Sequence, residues 1–327
     1  MRRFCTLILT FASLLLVSCN EEIGVSRTST VRFEVGFAMT KAASSDEEAI
    51  GSVDLLVFRR DGGSLEAAAR ASGRYVEAEV PSGVALDYYV VANAPESAFS
   101  AVASESAFLS SSSSLADNDV GKLVMVGSGS KAFDGDSQET VYLDRVASKV
   151  TLEGITPVFL GSSFASSDVV LESVYLINVN GTCPYGLVPT AGETWYCRMG
   201  YDASLAAPLS TMLYASVGKS ITSDETLTDT YRLYCYPNPT NNAVNSATAP
   251  EWSVRDTRLV VVLTIDGVRN YYHVDIPDMH CNYNYVIRDL RLLGPGSDHP
   301  DIPVVRDGLS FTVEVNPWSE ESGEIIF

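Results

Sequence analysis

The residues that could do chemistry in this 327-residue chain are few and widely spaced. Its three histidines are His273, His280 and His299, and no HExxH spacing joins them. A catalytic or metal site would therefore need convergence from distant segments. His273 lies in a run of strand-forming residues, and the other two lie in turn-rich segments. We interpret all three as structural residues.

Residues 127–131, with the sequence GSGSK, resemble a phosphate-binding loop only superficially. A P-loop needs GxxxxGK[ST] between a strand and a helix, whereas the residues that follow here are typical of a turn. We interpret 127–131 as a surface loop. Acidic pairs such as Asp134 and Asp136 are expected in the turns of a chain with 41 acidic residues. The sequence predicts no catalytic residues, no metal site and no cofactor, and hence not an enzyme.

The cysteine pattern does not decide whether these residues form disulfides or stay as free thiols. Cys5 and Cys19 lie near the N-terminus, and the other four cysteines are Cys183, Cys197, Cys235 and Cys281. These four allow three pairings, and none has a metal-binding CxxC spacing. Disulfides in an oxidising compartment and buried free thiols are both consistent with this pattern.

The N-terminus has the pattern of a lipoprotein signal. Arg2 and Arg3 precede an apolar run over residues 4–17. This run is typical of a secretory signal and is shorter than the roughly 20 apolar residues of a membrane-spanning helix. The sequence LVSC at 16–19 resembles a lipobox, in which cleavage precedes the cysteine and its thiol is acylated. We predict that residues 1–18 are removed and that acylated Cys19 holds the chain on a membrane.

The charge balance excludes some partners. With 41 acidic and 22 basic residues, the formal net charge is −19. Such a surface argues against nucleic acid and anionic lipid head groups as partners. Apolar residues make up 46% of the chain, which is not the composition of a disordered protein.

The chain is predicted to consist mainly of short strands separated by turns, and these strands must position the histidines, cysteines and acidic residues named above. Strands are predicted at 53–58, 75–80, 86–92, 123–126, 140–143, 146–155, 169–179, 231–236, 283–293 and 309–315. The clearest element is a hairpin of 259–265 with 268–276, whose Asp266-Gly267 link predicts a type I′ turn. One short helix is expected within 96–109, and the serine run 110–114 is expected to be a loop. This pattern favours an all-β fold with two β-sandwich domains, 19–144 and 145–327.

Several segments together resemble the fimbrillin family, the subunits of Bacteroidales type V pili and related surface lipoproteins. They are the lipobox, TKA at 40–42, IGSVDLLVF at 50–58, YYVVANA at 88–94, RVASKV at 145–150, YCYPNP at 234–239, NYVI at 284–287 and FTVEVNPW at 311–318. The resemblance implies two transthyretin-like Greek-key sandwiches and export to the outer membrane as a lipoprotein. It also implies that a lysine- or arginine-specific protease removes the first strand. The implied partners are other fimbrial subunits and, in adhesion, host or bacterial surface ligands.

In that setting, residues 29–45 are predicted to form a strand that the protein can lose. Val31, Phe33 and Val35 fall on one side of the pleat, and Lys41 is the first basic residue after the predicted strand 31–39. Small residues from Ala42 onward would admit a protease. We predict cleavage between Lys41 and Ala42, with Arg27 and Arg32 as rival sites. Loss of the strand would expose a hydrophobic groove and the edges of its neighbours.

The C-terminal run has an apolar spacing similar to that of the first strand. The predicted donor residues, which would fill the groove of a neighbouring subunit, are Leu309, Phe311, Val313, Val315, Ile325, Ile326 and Phe327. Two alternatives stay open. The chain could be an anchor subunit that keeps its lipid and first strand. It could also be a glycan-binding surface lipoprotein that uses exposed aromatic residues, with Trp195, Trp252 and Trp318 as candidates.

Overall fold

The computed structural model describes residues 27–37, 46–159, 162–304 and 308–318. These residues are mostly in strands, with two short α-helices. The strands are β1 (Thr28–Gly36), β2 (Ser52–Arg59), β3 (Leu65–Ser72), β4 (Tyr75–Pro81), β5 (Ala85–Ala92), β6 (Ser112–Ser114), β7 (Met125–Ala132), β8 (Ser137–Tyr142), β9 (Asp144–Arg145), β10 (Ser148–Pro157), β11 (Val169–Ile177), β12 (Val179–Asn180), β13 (Thr182–Pro184), β14 (Trp195–Tyr196), β15 (Tyr214–Ser220), β16 (Leu227–Cys235), β17 (Thr257–Ile265), β18 (Val268–Ile276), β19 (Tyr283–Leu292) and β20 (Leu309–Pro317). The helices are α1 (Glu105–Ser110) and α2 (Ala207–Leu213), with 3₁₀ turns at Asp46–Glu48 and Leu115–Asp117. Neither α-helix in the described ranges is long and apolar enough to cross a membrane.

The first strands form two facing sheets, which we call the N-terminal sandwich. One sheet has the order β3-β2-β5-β7-β9 and the other has the order β4-β1-β8. Apolar side chains from both sheets meet in one core, among them Val31, Leu55, Val90 and Val141. Alternating residues of each strand point inward, because successive side chains of a strand face opposite sides of the sheet.

The later strands form the C-terminal sandwich. Its sheets have the orders β16-β10-β19-β20 and β15-β11-β17-β18. Val150, Val174, Val261 and Ile287 lie in its core. Sheet membership changes between the end of β9 and the start of β10, next to the predicted boundary at 144/145. The prediction of an all-β fold built from β-sandwiches is confirmed.

The hairpin prediction is also confirmed. β17 and β18 pair antiparallel from Thr257↔Ile276 to Ile265↔Val268. Asp266 and Gly267 have φ values of 49° and 80°, the left-handed conformations that a type I′ turn requires. Asp and Gly are residue types that accept this conformation, which is why the pair was informative in the sequence.

The prediction of a surface loop at 127–131 is wrong, because these residues lie in β7, which pairs with β5. The glycines are needed for close packing. A β-carbon at Gly127 would lie 2.3 Å from the Tyr142 carbonyl oxygen, and one at Gly129 would lie 2.2 Å from the Tyr88 hydroxyl. Glycine in a strand interior commonly marks such a close approach.

The serine run 110–114 is not simply a loop either. Residues 112–114 form β6, which pairs antiparallel with β13 in a separate two-stranded sheet, so that residues on the two sides of the 144/145 boundary are hydrogen-bonded. The Ser113 hydroxyl lies 2.5 Å from the Tyr236 hydroxyl in a buried hydrogen bond. Burial and a hydrogen-bonding partner outweigh the turn preference of serine, and both come from distant parts of the chain.

The helix expected within 96–109 is shorter than this range and begins later in the chain. It spans Glu105–Ser110 and begins where Ser104 Oγ accepts a hydrogen bond from the Ala107 N–H at 3.3 Å. The residues before Ser104 form turns. Strand β3 was not predicted, because its alanines have little intrinsic preference for strands.

Candidate strand-exchange site

Strand β1 is the central strand of its sheet. It pairs antiparallel with β4, from Thr28↔Pro81 to Glu34↔Tyr75. On its other side it pairs parallel with β8, from Val31↔Ser137 to Gly36↔Tyr142. Both edges of β1 are therefore hydrogen-bonded, and its loss would leave the facing edges of β4 and β8 without a partner.

The inward face of β1 fills the core of the N-terminal sandwich. Val31 and Phe33 are 0% exposed and Val35 is 5% exposed. The Phe33 ring centroid lies 5.0 Å from that of Tyr88 and 5.9 Å from that of Phe133. Burial of each such side chain contributes about 1.5–3 kcal/mol. Removal of β1 would therefore open three aligned apolar pockets, of which the Phe33 pocket is the largest.

The outward face of β1 makes polar contacts with the same two neighbours. The Arg32 guanidinium lies 3.7 Å from the Tyr75 ring centroid, and Arg32 Nη1 lies 3.7 Å from Glu77 Oε1. On the other side, Gln138 Nε2 donates to Glu34 Oε2 at 2.5 Å. These groups are largely exposed, so each contact contributes little to stability.

The predicted processing residues lie outside the described residues. Cys19 precedes them, and Lys41 and Ala42 fall in the interval between Phe37 and Asp46. The rival sites are described. Arg27 is exposed and precedes β1, so a cut there would leave β1 attached to the sandwich. Arg32 lies within the paired strand.

A buried cluster of charged and aromatic side chains lies between this site and the C-terminal sandwich. We call it the junction cluster, and its members are Glu47, Arg145, Lys149, Tyr234 and Trp318. Lys149 Nζ lies 3.1 Å from Glu47 Oε2, with the side chains 2% and 1% exposed. The Tyr234 hydroxyl donates to Glu47 Oε1 at 2.7 Å, and Trp318 Nε1 donates to Glu47 Oε2 at 3.0 Å. The carboxylate thus joins the segment after β1 to β10, β16 and the end of β20.

The environment of Glu47 favours its charged form. Burial alone would raise the pKa of this carboxyl, but Lys149 and the hydrogen bonds from Tyr234 and Trp318 outweigh burial and lower the pKa. The Trp318 ring also lies under two cations, with Lys149 Nζ at 4.5 Å and Arg145 Cζ at 4.7 Å from its centroid. Nothing in the acidic run at 46–48 distinguished Glu47 from its neighbours, so sequence reasoning missed it.

The predicted donor residues divide between described and undescribed parts of the chain. Leu309, Phe311, Val313 and Val315 lie in β20, an edge strand paired antiparallel with β19. Ile325, Ile326 and Phe327 lie outside the described residues.

The apolar side of β20 is incompletely packed. Phe311 is 40% exposed, whereas Glu314 and Asn316 on the other side are only 9% and 7% exposed. A cavity of about 490 Å³ borders Val313 and Val315. The apolar side chains of β20 therefore have surface left to bury.

The tryptophans do not form a shared exposed platform. Trp318 is 1% exposed and Trp195 is 7% exposed. Trp252 is half-buried, with its ring centroid 5.7 Å from that of Trp195. Stacking on a sugar needs an accessible ring face, which Trp318 lacks. The glycan-binding alternative gains no support from this arrangement.

His273 and His299 each contact a backbone group around Pro300 through the ring nitrogen Nδ1. His273 is buried, and its Nδ1 lies 3.0 Å from the Pro300 carbonyl oxygen. Among the described residues, no group of three or more His, Cys, Asp or Glu side chains is placed to hold a metal ion.

Comparisons with known proteins identify proteins that are similar to this chain. Residues 30–143 match the family model of the major fimbrial subunit protein, FimA. The match spans β1 to β8, which confirms the resemblance to fimbrillins across the N-terminal sandwich. The matched family consists of structural fimbrial subunits and is not an enzyme family. A search of curated proteins gave no match.

Solved structures share the fold over almost the whole chain. A candidate cell adhesion protein from Bacteroides eggerthii has 17% identity and a TM-score of 0.65, with 90% of this chain and 97% of that one covered. The fimbrilin FimA of Porphyromonas gingivalis has 16% identity and a TM-score of 0.62, with 90% and 99% covered. The tip fimbrial protein Mfa3 of the same organism has 13% identity and a TM-score of 0.55, with 89% and 100% covered.

Proposed function

We propose that this chain is a fimbrial subunit that is exported as a lipoprotein and polymerises by strand exchange at the cell surface to support adhesion. A protease cuts after Lys41, β1 leaves, and a C-terminal strand of the next subunit takes its place. The observation that carries the proposal is the central position of β1, which is paired on both edges and supplies core side chains. The family match across β1 to β8 supports the same reading.

The position of the cut decides whether β1 can leave. Cleavage after Lys41 separates β1 from the rest of the sandwich, so that only non-covalent contacts hold it. Cleavage after Arg27 would trim the chain before β1 and leave the strand tethered. An exchange mechanism therefore needs a cut on the C-terminal side of β1, and Lys41 is the first basic residue there.

The incoming strand must match the empty groove. It needs hydrogen-bonding partners on both sides and apolar side chains at alternate positions. Leu309, Phe311 and Val313 have this spacing, and Phe311 offers a ring for the pocket of Phe33. Among the described strands, β20 lies at the edge of its sheet and pairs only with β19, which makes it easier to release than a central strand.

N-terminal sequencing of assembled fimbriae from the native cell tests the cut. We expect Ala42 as the first residue. Lys41→Ala should abolish polymer formation, whereas the matched Arg27→Ala variant should polymerise normally. Assembled material that begins at acylated Cys19 would contradict strand removal and would identify this chain as an anchor subunit.

Lipidation is tested separately. Cys19→Ala should lose labelling by a fatty-acid analogue and leave the membrane fraction, because the acyl chains supply most of the membrane affinity. Cys5→Ala is the matched control and should be labelled normally. Unchanged labelling of Cys19→Ala would contradict the assignment of this cysteine.

A further inference from the structure

Two buried cysteines face each other where the sandwiches meet. Cys183 lies in β13 and Cys281 in the turn before β19, and their Sγ atoms are 3.5 Å apart. The side chains are 0% and 8% exposed. Both thiols are free in the structure. A disulfide bond needs an Sγ–Sγ distance of roughly 2 Å, so closure requires a shift of about 1.5 Å.

We propose that Cys183 and Cys281 form a redox-dependent disulfide that joins β13 to the turn before β19, within the C-terminal part of the chain. The reaction is thiol–disulfide exchange with an external disulfide, either a small molecule or an oxidoreductase. One thiolate attacks the external disulfide, breaks its S–S bond and releases one external thiol. The second cysteine then attacks the protein sulfur of the mixed disulfide and releases the second external thiol, so the two protons end on the two external thiols. Two electrons pass from the cysteine pair to the oxidant. This proposal does not depend on strand exchange.

The position of the pair decides what the disulfide would hold together. Cys183 lies opposite Ser113 in the β13–β6 ladder, which pairs residues from the two sides of the 144/145 boundary. Cys281 precedes Asn282, which accepts from the Arg145 N–H at 3.2 Å and donates to Asp144 Oδ1 at 2.7 Å. Each cysteine therefore lies beside a contact with the N-terminal part of the chain, and a disulfide would tie these two contact points together on their C-terminal side.

Burial sets the conditions for oxidation. The neighbouring Cys281 thiol and burial both raise the pKa of Cys183, so its reactive thiolate is scarce in the folded protein. Both side chains are buried, so an external disulfide reaches them poorly in the folded protein. Oxidation should be slow on the native protein and fast during folding, when both side chains are accessible. The two cysteines are 98 positions apart, so the bond would close a long loop of the unfolded chain.

Peptide mapping without reduction tests the proposal. The full chain is refolded with glutathione disulfide, alkylated, and digested with trypsin and chymotrypsin, which separates Cys183 from Cys197. We expect a linked pair of peptides containing Cys183 and Cys281, two hydrogen atoms lighter than the separate thiol peptides. The oxidised protein should melt several degrees above the reduced protein.

The Cys197→Ala/Cys235→Ala double variant is the matched control and should retain both the link and the rise in Tm. Cys183→Ala should lose both. If Cys183→Ala does not fold, the wild type and the double variant still decide the question. Alkylation of all of Cys183 and Cys281 after oxidative refolding, or a link between other cysteines, would overturn the proposal.

Discussion

At the scale of single residues, Glu47 connects more elements of the structure than its place in an acidic run suggests. Its carboxylate accepts from Lys149, Tyr234 and Trp318, which come from three strands or strand ends. A buried ion pair is costly to break from one side, because the remaining charge stays without compensation. The junction cluster therefore holds the segment after β1 to the C-terminal sandwich.

Glu47→Gln should lower the free energy of unfolding by roughly 3 kcal/mol at neutral pH, because Lys149 would keep a buried, unpaired charge. The folded-state pKa of Glu47 is below the ordinary value of 4.5, so its contribution is complete above that value and declines as the pH falls below it. Urea unfolding at pH 7 and at about pH 3 measures this difference. Asp46→Asn, at the exposed neighbour, is the control. An equal deficit at both pH values would contradict a role for the charged carboxylate.

Phe33 is the side chain of β1 that fills the largest pocket. Phe33→Ala should destabilise the uncleaved protein by roughly 3–5 kcal/mol, because a ring between Tyr88 and Phe133 is replaced by a cavity. Urea unfolding checks this value, with exposed Thr30→Ala as the matched control. Similar unfolding midpoints for the two variants would show that β1 contributes little to the core.

At the scale of elements, the sheet around β1 depends on close approaches that only glycine permits. Gly127 lies where β7 meets the end of β8, and a β-carbon there would contact the Tyr142 carbonyl oxygen and the Val141 and Leu143 side chains. A backbone oxygen cannot move aside as the end of a side chain can. The position of β8, which forms one edge of the groove, is therefore coupled to β7.

Gly127→Ala should destabilise the protein by about 1–3 kcal/mol through overpacking. The measurement is thermal unfolding, and Gly135→Ala is the control because no atom lies within 4 Å of the corresponding β-carbon position. A Tm equal to that of Gly135→Ala would contradict the close approach.

The elements that could be predicted from the sequence are those specified by residues that lie close together in the sequence. The alternation of Val31, Phe33 and Val35 predicted an inward face, and the Asp266-Gly267 pair predicted its turn. The glycines of β7 and the serines of β6 gave wrong predictions, because pairing with β5 and with β13 holds them in strands. Glu47 and the Cys183–Cys281 contact could not be predicted for the same reason, since their partners are distant in sequence.

At the scale of the whole molecule, the two strands that take part in the proposed exchange are constrained differently. Strand β1 would be released by a cut, whereas β20 must detach from β19 before it can enter a neighbour. Trp318, directly after β20, is held by Glu47. If β20 leaves its own sheet, it pulls on Trp318 and on the hydrogen bond from Trp318 to Glu47. We therefore expect β20 to leave only when an empty groove is available to bind it.

Phe311→Asp should leave the monomer folded, because Phe311 is 40% exposed, and should reduce polymerisation at least tenfold by placing a charge in an apolar pocket. Sedimentation of cleaved protein measures the polymer. Val268→Asp is the matched control, since Val268 is 65% exposed on the opposite sheet of the same sandwich. Undiminished polymer formation by Phe311→Asp would rule out Phe311 as a donor residue.

The size difference among the pockets of the β1 groove has a consequence for the geometry of a fibre. A strand displaced by two residues still presents its apolar face to the groove, so alternation alone does not fix where the strand stops. The pocket between Tyr88 and Phe133 accepts a ring and is only partly filled by smaller side chains. This pocket would therefore fix the register of the incoming strand. Each subunit would then sit at the same distance from the next, and the fibre would have a constant repeat.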